Sequence, residues 1–210
     1  MSSSLANSYS YQSLLNHKHW VFDMDGTLTI AQHDFDAIRN DLGLPEGLPI
    51  LESLDALPKE QSAPLHLRLN EIELEIAAES KAAKGAEKLL ETLLDINANI
   101  GILTRNNKIN IGVTLKAAGL DHYFLNDNVL SRDCAISKPA PDGILQLLSQ
   151  WQSNVNDAIS NTIMVGDHLH DLQAGKAAKV KTLYVDPSGE FVFKQDADVC
   201  IHQLTDLFQK

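Results

Sequence analysis

The stretch Asp23-Met24-Asp25-Gly26-Thr27-Leu28-Thr29 sets two carboxylates two residues apart, directly after the apolar run Trp20-Val21-Phe22. In an extended segment residues i and i+2 point the same way. Asp23 and Asp25 are therefore expected to project together where a buried strand hands over to a loop. Like charges at that spacing call for a cation or a shared proton, and Gly26 lets backbone N–H groups turn toward an anionic ligand. The pattern suits carboxylate chemistry on an anion, assisted by a metal. A bare Asp-x-Asp-Gly also reads as a surface turn closed by an Asx side chain, but the apolar run upstream ties this loop to a core strand. An EF-hand loop begins similarly, yet its twelfth position counted from Asp23 is Asp34 rather than Glu, and Leu28 and Ile30 are not ligands.

The elements that must position these acids follow from periodicity. Beyond residue 85 the chain alternates helix and strand, as a parallel sheet demands. Residues 86–96 read as a helix through Leu89, Leu90, Leu93 and Leu94, feeding a strand that ends at Thr104. A second helix spans 109–118, with Ile111, Leu115 and Ala118 on one face and Gly119 closing it. A third spans 142–151 after Pro139 and Pro141, with Leu145, Leu148 and Trp151 expected to be buried. A fourth covers 169–178, followed by a strand at 182–185. Between residues 31 and 84 the signals are helical with no convincing strand. Phe35, Ile38 and Leu42 share a face closed by Gly43 and Pro45; Ile50, Leu51, Leu54 and Leu57 form a second face; Leu65, Leu69, Ile72 and Ile76 form a third. Glu71, Glu73, Glu75 and Glu79 then read as a solvated acidic face.

The heptapeptide from Asp23 resembles the first motif of the haloacid dehalogenase-like hydrolase superfamily, and three further motifs follow in the superfamily's order. These are Ile100-Gly101-Ile102-Leu103-Thr104, then Ser137-Lys138-Pro139-Ala140-Pro141-Asp142, then Ile163-Met164-Val165-Gly166-Asp167 with Asp171 after it. Each fragment alone is weak; four in order, from about His19 onward, carry the resemblance. It implies an α/β fold, a Rossmann-like three-layer α/β/α core with a parallel sheet, built from residues 17–30 and 85–210. Residues 31–84 become a small α-helical cap with hinges at 30–34 and 84–85, and residues 1–16 a polar N-terminal extension. Within the superfamily the short cap is similar to that of phosphoglycolate phosphatase-like members.

The resemblance also implies roles. Asp23 is the nucleophile that forms an aspartyl-phosphate, and Asp25 is the general acid and base. Magnesium is held by the Asp23 carboxylate, the Asp25 backbone carbonyl and Asp167, with Asp171 supporting its waters. Met24, Thr104, Arg105 and Lys138 contact the transferring phosphate, Thr104 and Lys138 serving electrostatic preorganisation. Two residues depart from the usual pattern. Arg105 stands where many relatives carry Asn, so either its guanidinium joins the phosphate pocket or it points away and only its N–H is used. His168 stands where serine is usual, making an H-x-H with His170 that could suggest zinc. Histidines two apart at a helix start do not share a face, so a residue bordering the cleft or capping the loop is the better reading of His168.

Composition narrows the function classes. The 210 residues, 44% hydrophobic, suffice for one core and a small appendage, and no apolar run approaches the ~18 residues that span a membrane. The net charge of −11 opposes a nucleic-acid surface, which needs clustered Lys and Arg. Residues 1–16 lack the basic start and apolar centre of a secretory signal. Cys134 and Cys200 form no C-x-x-C spacing and suit a reducing compartment, so a cytoplasmic location is expected.

The expected partner is a small phosphorylated metabolite, with no nucleic acid and no membrane; a monomer and a small homo-oligomer both remain open. Arg39 and Arg68, the two arginines of 31–84, could reach a substrate anion, but exposed pairs with Asp36, Asp41 or Glu71 are favoured. His33 and Arg132 are similar candidates for substrate contact. A magnesium-dependent phosphatase is the leading expectation. A phosphomutase would have to exclude water, which a short cap disfavours. Asp25 counts against a dehalogenase, and no lysine among Lys59, Lys81 and Lys84 has the setting of a phosphonate hydrolase. A non-catalytic phosphate-binding module is the remaining alternative.

Overall fold

A computed structural model describes residues 11–31, 34–151 and 154–209. Six strands, β1 (His19–Phe22), β2 (Asn99–Leu103), β3 (Val129–Leu130), β4 (Thr162–Gly166), β5 (Lys181–Val185) and β6 (Val199–Ile201), form one parallel sheet in the order β3-β2-β1-β4-β5-β6. Strands covered on both faces read as continuous apolar runs, and all four residues of β1 are buried. Side chains alternate between faces. Trp20, Phe22, Ile100, Ile102, Ile163 and Val165 meet α4 (Ala86–Asp95) and α5 (Lys108–Ala117) on one side. Val21, Leu103 and Met164 meet α6 (Asp142–Trp151), α7 (Val155–Ser160) and α8 (Leu169–Ala177) on the other.

These are the expected three layers, and the helix and strand limits agree with the sequence reading to within one or two residues. Inside α6 the fully buried positions are Ile144, Leu147 and Leu148, whereas Leu145 and Trp151 are half-buried. Trp151 closes the edge by stacking on His19, with ring centroids 5.7 Å apart, and by donating its indole N–H to Asn128.

Between β1 and α4 lie three helices, α1 (Phe35–Leu42), α2 (Ile50–Asp55) and α3 (Lys59–Ala78). Asp34 caps α1 by accepting from the Ala37 N–H, and Gly43, at φ 65°, ends it in the left-handed conformation that glycine adopts without penalty. Ile38, Leu42, Leu54 and Leu69 form an apolar cluster separate from the two that flank the sheet. Two expectations change here. Phe35 is 56% exposed rather than part of the buried face. Glu73 is half-buried, and its carboxylate accepts from the Asn110 side chain of α5 at 2.9 Å, because α3 packs across α5 on that side. No helix among the described residues is long and apolar enough to cross a membrane.

Because Leu54 is fully buried in a cluster of its own, Leu54→Ala is expected to cost about 2–5 kcal/mol locally. Hydrogen exchange should show lost amide protection in α1–α3 with protection of β1, β2 and β4 retained.

Candidate active site

The sheet order reverses direction at β1: β2 lies on one side of it and β4 on the other. That is the switch point at which open α/β sheets leave a crevice beyond the strand carboxyl ends. Asp23 follows β1, Thr104 follows β2 and Asp167 follows β4, so three neighbouring strands deliver one group each to this crevice. The Asp23 N–H donates to the Val165 carbonyl at 2.8 Å, extending the ladder to the acid itself. Two glycines make the approach possible. A Cβ at Gly26, whose φ is 84°, would fall 2.2 Å from an Asp167 carboxylate oxygen, and one at Gly166 would fall 2.2 Å from the Asp171 Cβ.

Lys138, from the loop before α6, is buried with its ammonium between Asp23 and Asp171; the Asp171 oxygen is 2.6 Å away. Burial alone would lower its pKa, but Asp171 and Asp23 more than offset this and hold it above the ordinary lysine value. The second Asp171 oxygen accepts the His168 N–H at 3.0 Å, completing a capping box at the start of α8. Asp23 is driven the other way: burial raises its carboxyl well above the usual range, Lys138 opposes the rise, and Asp171 and Asp167 add to it. Asp167 is pushed up to about 7 by burial and then by Asp171, against its own backbone, the Thr27 hydroxyl at 3.2 Å and Lys138.

Asp23, Asp167 and Asp171 each offer a carboxylate oxygen, all within 4.8 Å of one another. Three buried or half-buried acids thus face one ammonium; burial raises Asp23 and Asp167, and the excess of negative charge adds to the rise. Hard oxygen donors with an uncompensated charge fit a hard divalent cation. Asp171 is already engaged by Lys138 and the His168 N–H, which leaves Asp23 and Asp167 as the more available donors.

The carboxylate of Asp25 lies outside that cluster, contrary to the expected pairing with Asp23. Its oxygens accept from the Thr29 hydroxyl at 3.3 Å and from the Asn106 side-chain amide. A turn after Asp23, not a continued strand, separates the two acids: the Met24 carbonyl takes the Leu28 and Thr29 N–H groups, and Thr29 Oγ1 as well. Asn106 was missed in the sequence. It also donates its backbone N–H to Thr104 Oγ1 at 3.2 Å, and so links the β2 terminus to Asp25. The signal was there, since an Asn is expected near Thr104 and stands one position later than usual.

The other expected contacts are placed as follows. Met24 is fully buried and belongs to the apolar core. Of the two readings of Arg105, the structure agrees with the one in which the guanidinium points away, since it pairs with Glu52 of α2 at 3.0 Å. Arg39 pairs with Asp36, and Arg68 with Asp41 and Glu71, the favoured surface pairs. His168 caps α8, accepts the His170 N–H and packs its ring on Phe193, which is the loop-capping role. Arg132 is half-buried and gives its N–H to the Asn106 carbonyl. His33 lies outside the described residues.

A doubly wound parallel sheet with carboxylates gathered at its switch point is the arrangement of an α/β enzyme site. The sequence profile of the haloacid dehalogenase-like hydrolases matches residues 32–185, and the chain belongs to that family. It is 28% identical over 205 residues to an uncharacterized hydrolase of Saccharomyces cerevisiae, covering 94% of this chain and 92% of that one. It is 32% identical to a pyrophosphatase of Bacillus pumilus over 56% of this chain and 54% of the other. The fold is shared with a family IA, variant 3 hydrolase from Entamoeba histolytica, at a TM-score of 0.74 and 20% identity over 90% and 94% of the two chains.

The raised Asp167 carboxyl has a thermodynamic consequence. Between its ordinary value of 3.8 and about 7 the folded, metal-free protein holds a proton that the unfolded chain has lost, so stability falls as pH rises through that window. Asp167→Asn removes the effect. In chelator, the variant should gain stability over the wild type as pH rises from about 4 to 7, by at most roughly 4 kcal/mol and less where solvent reaches the group. Urea denaturation at stepped pH reads the difference.

Proposed function

We propose that the protein is a magnesium-dependent phosphatase acting on a small phosphorylated metabolite. The observation that carries this reading is the buried Asp23–Lys138–Asp171 arrangement beside Asp167 at the sheet's switch point. Asp23 attacks phosphorus in line; the P–O bond to the leaving group breaks as the Asp23–phosphorus bond forms, giving an aspartyl-phosphate. Asp25 gives its proton to the departing oxygen, then takes one from the water that cleaves the intermediate. Thr29 and Asn106 fix the orientation of Asp25, and Lys138 and Thr104 offer donors to the phosphoryl oxygens.

Asp23 and Asp167, with the Asp25 carbonyl, would hold magnesium, which when bound supplies positive charge to the phosphoryl oxygens. In this reading the helices α1–α3 serve as a cap over this end of the sheet. The name of the Bacillus relative agrees with phosphoryl hydrolysis. Asp25 supports a phosphatase over a dehalogenase, which needs an ester-forming acid without that partner.

Purified protein should hydrolyse a generic aryl phosphate with magnesium and not in chelator. Asp23→Asn should fall to background, and Asp25→Ala should lose about 10²–10⁴-fold in turnover while accumulating phosphoenzyme. Metal-independent turnover, or full activity of Asp23→Asn, would exclude the nucleophile assignment.

A further inference from the structure

We propose that Arg105 is a positioning residue: by pairing with Glu52 it draws α2 over the end of β2 and narrows the mouth of the site, in place of binding the phosphoryl group. The inference rests on the phosphatase reading for its catalytic consequence. Arg105 follows Thr104 directly, so its backbone is fixed where β2 delivers a hydroxyl to the crevice. Its guanidinium reaches across to α2, where Glu52 stands in the first helical turn, and the two meet at 3.0 Å. The charge stays within electrostatic reach of the strand ends: burial lowers the His170 imidazole first, and His168 and Arg105 lower it further.

Packing explains why α2 needs such a tether. The helices between β1 and α4 meet the core through α3 against α5, while α2 packs on α3 and buries Leu54 in their shared apolar cluster. Apolar contact thus holds α2 to α3 rather than to the strand ends. An arginine–carboxylate pair adds the direction that apolar burial lacks. Both side chains are partly exposed, so the pair shifts the balance between α2 drawn in and α2 released by at most about 5-fold. A tether of that strength biases the helix without locking it, so a substrate can enter and still be sheltered from water during transfer. A guanidinium committed to the phosphoryl group would behave differently, because its effect would not depend on Glu52.

The test is a charge exchange. Arg105→Glu and Glu52→Arg each set like charges face to face, and the double variant restores an opposite pair in reverse. Hydrogen exchange of the α2 amides, followed without metal or substrate, should quicken several-fold in each single variant and return to wild-type rates in the double. In magnesium with aryl phosphate, kcat/KM should fall several-fold in each single variant, chiefly through KM, and recover in the double. Glu52→Gln, which removes the attraction without adding repulsion, should change both readouts by about 2–5-fold. Unchanged α2 exchange in the single variants, or no recovery in the double, would overturn the tether. Recovery of exchange without recovery of turnover, or a normal kcat/KM in Glu52→Gln beside a large loss in Arg105→Gln, would assign Arg105 to the substrate and overturn its positioning role. Absence of turnover by the wild type, with the exchange pattern as expected, would overturn the phosphatase reading and leave the tether standing.

Discussion

The ammonium of Lys138, buried between Asp23 and Asp171, is the contact on which the rest of the site depends. It joins the end of β1, the loop before α6 and the first turn of α8; Asp23 and Lys138 alone are 115 positions apart in the chain. A buried pair of this kind is weak evidence of stability, because desolvation consumes most of its Coulomb energy. Its effect here is geometric. Removing the lysine would leave Asp23, Asp167 and Asp171 facing one another with no counter-charge, and burial already raises two of them. The site is therefore built short of positive charge, a condition that favours a bound cation.

Topology explains why so few residues suffice. A sheet that grows outward from β1 in both directions brings the ends of β2, β1 and β4 side by side without any loop having to cross the sheet. Asp23, Thr104 and Asp167 stand on strand ends already ordered by the hydrogen-bond ladder, and the glycines at 26 and 166 remove the side chains that would hold Asp167 and Asp171 away. Rigid strand ends suit an in-line displacement, where small misplacements are costly.

Much of this was legible in the sequence because motif residues at strand ends carry two signals at once, an apolar run and a chemically distinctive successor. Asp23, Thr104 and Asp167 share that property, and Lys138 and Asp171 follow from their order along the chain. The residues that were misread lack it. Asn106 sits in a loop whose neighbour Arg105 drew the phosphate role, and only tertiary structure shows that Arg105 turns to Glu52 while Asn106 turns to Asp25. Glu73 was assigned to solvent as one of a run of four acids, and the other three, Glu71, Glu75 and Glu79, are indeed exposed. Helical periodicity describes one helix; the side of α3 that meets α5 is set by packing between elements, which no period within α3 records. The paired direction of Asp23 and Asp25 failed for a related reason, since alternation holds only while the chain stays extended, and the turn closed by Met24 ends it.

The two ends of the site are stabilised by different kinds of contact, and this bears on how a substrate enters. The strand-end side is fixed by ladder hydrogen bonds, burial and a buried ion pair. The helices α1–α3 keep an apolar cluster of their own. Their named polar links to the core are Arg105 with Glu52 and Asn110 with Glu73. Arg105 and Glu52 are partly exposed, and pairs of that kind contribute only about 0–1 kcal/mol. Polar links can be exchanged for contacts with water or with a substrate donor, whereas separating packed apolar faces cannot be compensated in that way. Movement of the helices away from the strand ends would thus leave both flanking clusters of the sheet covered and the Asp23–Lys138–Asp171 geometry intact. Under the proposed phosphatase reading, recognition of the leaving group would fall to the helical unit while the chemistry stays at the strand ends.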